Sequence, residues 1–101
     1  FMWPWENPSS AATGILDDVT YDWRPVVWDM ACGSTPGGPV VAAEEHVAAA
    51  HQLVRDHTDV LADATGAAGL AGLLSARRDG CVDSGDRVVV LLTGAERPID
   101  A

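Results

Sequence analysis

All six aromatic residues of this 101-residue chain, Phe1, Trp3, Trp5, Tyr21, Trp23 and Trp28, fall within the first 28 positions. Whatever packs the remaining two-thirds must be built from alanine, valine, leucine and glycine, whose small side chains let elements approach closely while burying little apolar surface each. A unit of about 100 residues removes only about two-thirds of its unfolded surface from water. The expected core is modest and aliphatic, and the chain suits one domain or part of one.

Charge narrows the partners. Fifteen acidic residues face six cations, all arginine, for a formal net charge of -9 and a pI near 4.3. The arginines are dispersed except for Arg77 and Arg78, whereas phosphate recognition draws its affinity from clustered cations, so nucleic acid is not an expected partner. No run approaches the ~20 apolar residues of a membrane span, and no basic segment leads into an apolar one as in a signal peptide. A soluble, cytoplasmic protein without a membrane partner is expected. Cys32 and Cys81 are far apart and neither has a CxxC companion, which gives no zinc spacing and no disulfide framework; two reduced thiols are expected. The chain opens on Phe1 rather than an initiator methionine, which reads as a truncated chain or one whose upstream part was removed.

Residues 1-39 read as an irregular segment, one helix and a loop. Pro4, Pro8 and Gly14 interrupt 1-14. Thr20 or Asp22 can cap a helix from about Asp22 to Ala31, with Pro25 tolerable in the first turn and Trp23, Val26, Val27 and Met30 on one face. Asp17, Asp18 and Asp22 read as a solvated cap. The stretch 33-39, GSTPGGP, is a loop by composition and lacks the spacing of a phosphate cradle.

Residues 40-101 read as a βαβαβ-type unit. Val40-Val41 is a short strand candidate. The stretch from Ala43 to His57 is helix-forming throughout, with Glu44 and Glu45 at the positive end of the dipole and Arg55 and His57 at the other; Val47, Ala50, Leu53, Val54 and His57 make its buried stripe. Its histidines, His46, His51 and His57, are spaced by five and six residues rather than four, which does not make a metal face. Val60 to Asp63 is a second strand candidate, and Thr65 to Arg78 a third helix flanked by Leu70, Leu73 and Leu74 as core. Gly66, Gly69 and Gly72 recur every third residue there, each costing about 1 kcal/mol of helix propensity, so this stripe is expected to face a closely packed element. Gly80 ends the helix, residues 81-86 turn, and Arg87 to Thr93 is a near-continuous apolar run expected to be a strand buried on both faces.

Strand, helix and strand in this order predict an α/β class with a partial parallel sheet and flanking helices. Ligands in such sheets sit beyond the carboxyl ends of the strands, here Thr93-Gly94 and Asp63 to Thr65. On residue type alone Thr93 is a structural hydroxyl and Asp63 a helix-capping acid.

The stretch ADATGAAGLAGLLSARRDG followed by DRVVVLLTG resembles the C-terminal part of the large domain of fold-type II pyridoxal-phosphate enzymes, the tryptophan-synthase β superfamily, and within it the threonine-synthase-like branch. NPSSAATGILDDVTYDW resembles the corresponding upstream segment. The resemblance implies that Thr93 bonds the pyridine nitrogen of pyridoxal phosphate, that Gly94 lets the backbone pass close beneath the ring, and that Asp63 stands where relatives often place a glutamate near the same ring edge. An uncharged hydroxyl at that nitrogen favours elimination and replacement over a fully delocalised carbanion.

The implied parent is a cytoplasmic lyase of amino-acid metabolism, a homo-oligomer that converts O-phosphohomoserine to threonine, with this chain docked on the remainder of the enzyme. A serine/threonine dehydratase or a diaminopropionate ammonia-lyase shares the same fold and cofactor. A small acidic α/β interaction domain without cofactor is the rival from another class. The tail LLTGAERPIDA departs from the Thr-Gly-His-Gly ending of many threonine synthases. The chain contains no lysine, so no side chain here can form the Schiff base that such catalysis requires, and the chain alone is expected to be inactive. Incubation of the isolated chain with pyridoxal phosphate and borohydride should leave every side chain unlabelled by mass spectrometry.

Overall fold

A computed structural model describes residues 6-16, 22-32 and 37-96. Among these residues three helices form, α1 Trp23–Cys32, α2 Glu44–His57 and α3 Ala68–Arg78, preceded by a 3-10 turn at Thr13–Ile15. All three helices that the apolar spacing predicts are present, with starts shifted by one to three residues. The predicted cap at Thr20 lies outside the described residues.

The architectural centre is the α2/α3 pair, the one pair of helices in contact among the described residues. Its core is made of Ala12, Val47, Ala50, Val54, Ala62, Ala67 and Ala71, with Ala42, Ala64, Leu70, Leu74 and Leu92 packed around it. Among the described residues no buried apolar side chain exceeds valine in size. Small residues let the two helices approach closely, and the hydrophobic gain is correspondingly small, since a buried valine contributes only about 1.5 kcal/mol and an alanine less. Of the stripe expected on α2, Val47, Ala50 and Val54 are buried, whereas Leu53 and His57 are exposed. On α3 the leucines are half-buried and Ala71, Ser75 and Ala76 take the interior.

One buried polar group joins the pair. Ser75 of α3 is fully buried; its Oγ accepts the Ala43 N–H at 3.1 Å and lies 2.6 Å from His46 Nδ1. Ala43 precedes α2 and its amide has no partner within that helix, so the serine both satisfies itself and anchors the start of α2. The N-terminal segment runs from the start of α2 to the turn before α3: Glu44 Oε1 accepts the Ser10 hydroxyl at 3.2 Å and the Ala11 N–H at 2.7 Å, and Thr65 Oγ1 accepts the Gly14 N–H at 2.9 Å. Ala12 is thereby buried against the helices. Helix α2 ends where Thr58 folds back, its N–H and Oγ1 both donating to the Val54 carbonyl.

The expected α/β class with a partial parallel sheet does not form. Among the described residues there is no strand, and the one pairing of extended backbone is an isolated antiparallel bridge, Ala62 with Ala95. A parallel crossover would lay Arg87 to Thr93 along Val60 to Asp63 from start to end. Instead the chain meets this segment only after the run is over, at Gly94 to Glu96, and in the opposite direction: the Glu96 N–H donates to Leu61 O at 2.6 Å and the Asp63 N–H to Gly94 O at 3.3 Å. The apolar run is also buried on one side only. Val90 and Leu92 are half-buried, while Val89 is 87% and Leu91 71% exposed. Val40 and Val41 form no strand either and are exposed.

Helix α1 packs against neither of the others. Its apolar face forms at the predicted spacing, yet Trp23, Val26, Val27 and Trp28 remain exposed, the last at 72%. The Arg24 guanidinium sits over the Trp23 ring, 5.6 Å from its centre. The radius of gyration, 14.9 Å, exceeds the roughly 13 Å of a closed 100-residue domain. Among the described residues, no helix is long and apolar enough to cross a membrane.

Helix α3 ends as its sequence predicts. Gly80 takes φ +80°, its N–H donates to Arg77 O at 3.2 Å, and the Cys81 N–H reaches back to Ala76 O at 2.9 Å, the two bonds that define a glycine-terminated Schellman cap. Residues 83-86 then turn, with Asp86 Oδ2 accepting the Asp83 N–H at 2.8 Å. Two substitutions test this reading of the glycines. Gly80→Ala should destabilise by about 1-2 kcal/mol, the cost of a side chain in the left-handed region. Gly72→Ala, at a helical position with open space around it, should stabilise by up to ~1 kcal/mol. Chemical denaturation of both variants measures the two signs.

Candidate functional site

Three short pieces converge on one point: the turn that follows Asp63, the start of α3 and the end of the apolar run. The turn forms because Asp63 caps it. Its Oδ1 accepts the Gly66 N–H at 2.6 Å and its carbonyl accepts the Ala67 N–H at 2.9 Å, as an aspartate does for amides three and four residues on at a helix start. The cap starts a turn at once, with the Ala67 N–H on Asp63 O and the Ala68 N–H on Thr65 O, but the Gly66 carbonyl accepts the Thr93 N–H instead of the Leu70 amide, and regular α3 begins at Ala68.

The end of the run then crosses that turn backbone to backbone. Thr93 N–H donates to Gly66 O at 3.2 Å, and Asp63 N–H donates to Gly94 O. A methyl group on Gly66 would overlap the Gly94 carbonyl oxygen and come within 2.5 Å of the Gly94 nitrogen. One on Gly94 would stand 2.7 Å from Asp63 Oδ1 and 3.2 Å from Gly66 Cα. Two glycines are therefore required here by close approach, since any side chain at either position would separate the strands of backbone.

The three residues that the sequence singles out, Asp63, Thr93 and Gly94, are thus adjacent. Thr93 is exposed, and its hydroxyl has no hydrogen-bond partner among the described residues; Gly94 and Asp63 are half-buried. The Asp63 carboxylate is already engaged by Gly66. Beyond Gly94, Glu96 lies 3.8 Å from both His51 Nε2 and Arg55 Nη1 of α2, a half-exposed cluster of the kind that contributes under about 1 kcal/mol.

The glycine stripe of α3 faces packed chain in part. Gly66 meets Gly94, and a methyl group on Gly69 would make ordinary contact with Leu91 O and Val90, but Gly72 meets nothing. Around Gly69 and Gly72 an apolar groove of about 410 Å³ is bordered by Leu73, Val88 and Val89. Sequence reasoning treated the stripe as one feature and did not separate Gly66, the glycine on which the site's geometry depends. The signal was available in its position, three residues after a capping aspartate. Ser75 and His46 carry no pattern that would have paired them.

Other candidate chemistry is not assembled. Cys32 and Cys81 are both exposed and unbridged. Among the described residues no three histidine, cysteine or acidic side chains gather where they could hold a metal ion.

The chain is 34% identical over 91 residues to the threonine synthases of Mycobacterium bovis and of two strains of Mycobacterium tuberculosis. The match takes in 90% of this chain and 25% of those proteins, so the chain spans about a quarter of the length of the curated relatives it matches. No protein-family model and no solved structure matches it.

Gly66→Ala is expected to destabilise the chain by about 1-3 kcal/mol through overpacking against a backbone that cannot yield. The opposite sign at Gly72, in the same helix region and with the same chemical change, separates close approach from propensity in one pair of melting curves.

Proposed function

We propose that this chain is a segment of a cytoplasmic, pyridoxal-phosphate-dependent lyase of the threonine-synthase kind, acting on O-phosphohomoserine by elimination and replacement, and that Thr93 and Gly94 form part of the cofactor's seat. The reading is carried by one observation: in a chain similar to threonine synthases over most of its length, an exposed hydroxyl with no hydrogen-bond partner among the described residues is fixed at Thr93 by backbone bonds rather than by its own side chain. When bound, pyridoxal phosphate supplies the electron sink for carbanion chemistry.

The residues present fit that group at Thr93. A threonine hydroxyl can both donate and accept, so it can pair with a ring nitrogen without adding charge, which keeps the ring from becoming the strongest electron sink and directs the reaction toward loss and replacement of a group on the substrate side chain. Gly94 presents bare backbone beside it, leaving room for a flat ring to approach. Asp63 fits less well as a direct ligand, because one carboxylate oxygen already accepts the Gly66 amide. Covalent attachment of the cofactor needs a lysine that this chain does not contain, so that role falls to residues outside it.

In the intact protein that carries this segment, Thr93→Val keeps the shape and the backbone bond to Gly66 while removing the hydroxyl. It should weaken pyridoxal-phosphate affinity about tenfold, or ~1.4 kcal/mol, with Thr93→Ser close to wild type. Titration of the visible band of the bound cofactor measures this. Product analysis with O-phosphohomoserine against serine and threonine distinguishes a synthase from a dehydratase. Unchanged cofactor affinity in Thr93→Val would overturn the assignment of this hydroxyl.

A further inference from the structure

We propose that Asp63 is a positioning residue, not a cofactor ligand: its carboxylate sets the place of Thr93 through a closed circuit of backbone bonds. This inference rests on the reading of Thr93 given above and corrects the role that resemblance implies for Asp63. The circuit has four links. Asp63 Oδ1 accepts the Gly66 N–H at 2.6 Å, which holds the turn; Gly66 O accepts the Thr93 N–H at 3.2 Å; Thr93 leads into Gly94; and Gly94 O accepts the Asp63 N–H at 3.3 Å, closing the ring. The two glycines lie against each other inside it, with Asp63 Oδ1 beside both.

The circuit makes the position of Thr93 depend on an acceptor atom and not on a charge. An aspartate and an asparagine both present that oxygen at the same distance from the backbone and are comparable caps. A glutamate presents it one methylene further out, where it cannot close the same short turn. A residue that touched a cofactor through its charge would show the reverse order, tolerating glutamate and losing function as asparagine. The side-chain series therefore separates the two roles.

The test has two arms. In the 101-residue chain, amide hydrogen exchange at Thr93 is measured for Asp63→Asn, Asp63→Glu and Asp63→Ala, with the helicity of α2 and α3 followed by circular dichroism as the folding control. Protection at Thr93 should persist in Asp63→Asn and fall roughly fivefold or more in Asp63→Ala and Asp63→Glu, the factor that accompanies loss of one helix cap. In the intact protein, the visible spectrum and affinity of bound pyridoxal phosphate should be retained in Asp63→Asn and shifted in Asp63→Glu. Retention by glutamate with loss by asparagine in either arm would overturn the proposal. So would Thr93 protection that ignores all three substitutions. If the intact wild-type protein binds no pyridoxal phosphate, the functional reading fails, and the exchange arm still decides whether Asp63 positions Thr93.

Discussion

The arrangement depends on a contact between two backbones. Gly66 and Gly94 approach so closely that neither position has room for a β-carbon, and the hydrogen bonds from Thr93 to Gly66 and from Asp63 to Gly94 exist because of that approach. Backbone amides and carbonyls are obligatory hydrogen-bonding groups; where they are exchanged between two segments at van der Waals distance, both segments are located by the same event. Asp63 prepares one side by capping the turn that holds Gly66. Thr93, bonded to the Gly66 carbonyl at the end of the apolar run, is exposed.

Around this contact the chain packs with small side chains and few large ones. Alanines and valines fill the space between α2 and α3, a choice that brings helices close while removing little apolar surface from water. Directed bonds from the edges compensate: Ser75 to Ala43, Glu44 to Ser10 and Ala11, and Thr65 to Gly14. Each joins residues more than 30 positions apart, or 51 in the last case. Other large apolar side chains lie away from this contact, Trp23, Val26, Val27 and Trp28 on α1 and Val88, Val89 and Leu91 on the run, where they remain exposed.

Much of the local structure was legible because it depends on short-range chemistry. The helices follow from apolar residues three and four apart, and Gly80 could be named as a terminator because the left-handed cap it adopts is a glycine position. Asp63 as a capping acid was one of its two readings, and capping is the role its hydrogen bonds show. The parallel sheet was not legible in the same sense. An apolar run such as VVVLL states that it prefers extended backbone beside apolar neighbours, but not where those neighbours come from or which way they run. Here the run contacts α3 on one side through Val90 and Leu92, and its end turns antiparallel to Leu61 to Asp63. The buried stripe on α2 erred for a related reason: Leu53 and His57 lie at the right spacing, but among the described residues no partner element covers that edge.

What the amino-acid order determined by itself was the set of helices, their ends and the residues that could carry chemistry, because propensity, capping and glycine tolerance act over four or five residues. It also determined, through the lack of lysine, that no side chain of this chain can form a Schiff base with a pyridoxal cofactor. The sequence placed Asp63, Thr93 and Gly94 together at the lip of a parallel sheet; only the tertiary structure decided that they meet through a backbone exchange without that sheet, that Gly66 rather than the whole stripe is the indispensable glycine, and that the extended segments meet in opposite directions. Those outcomes rest on contacts between residues about thirty positions apart, which depend on how the chain closes in space and on no local preference of either segment.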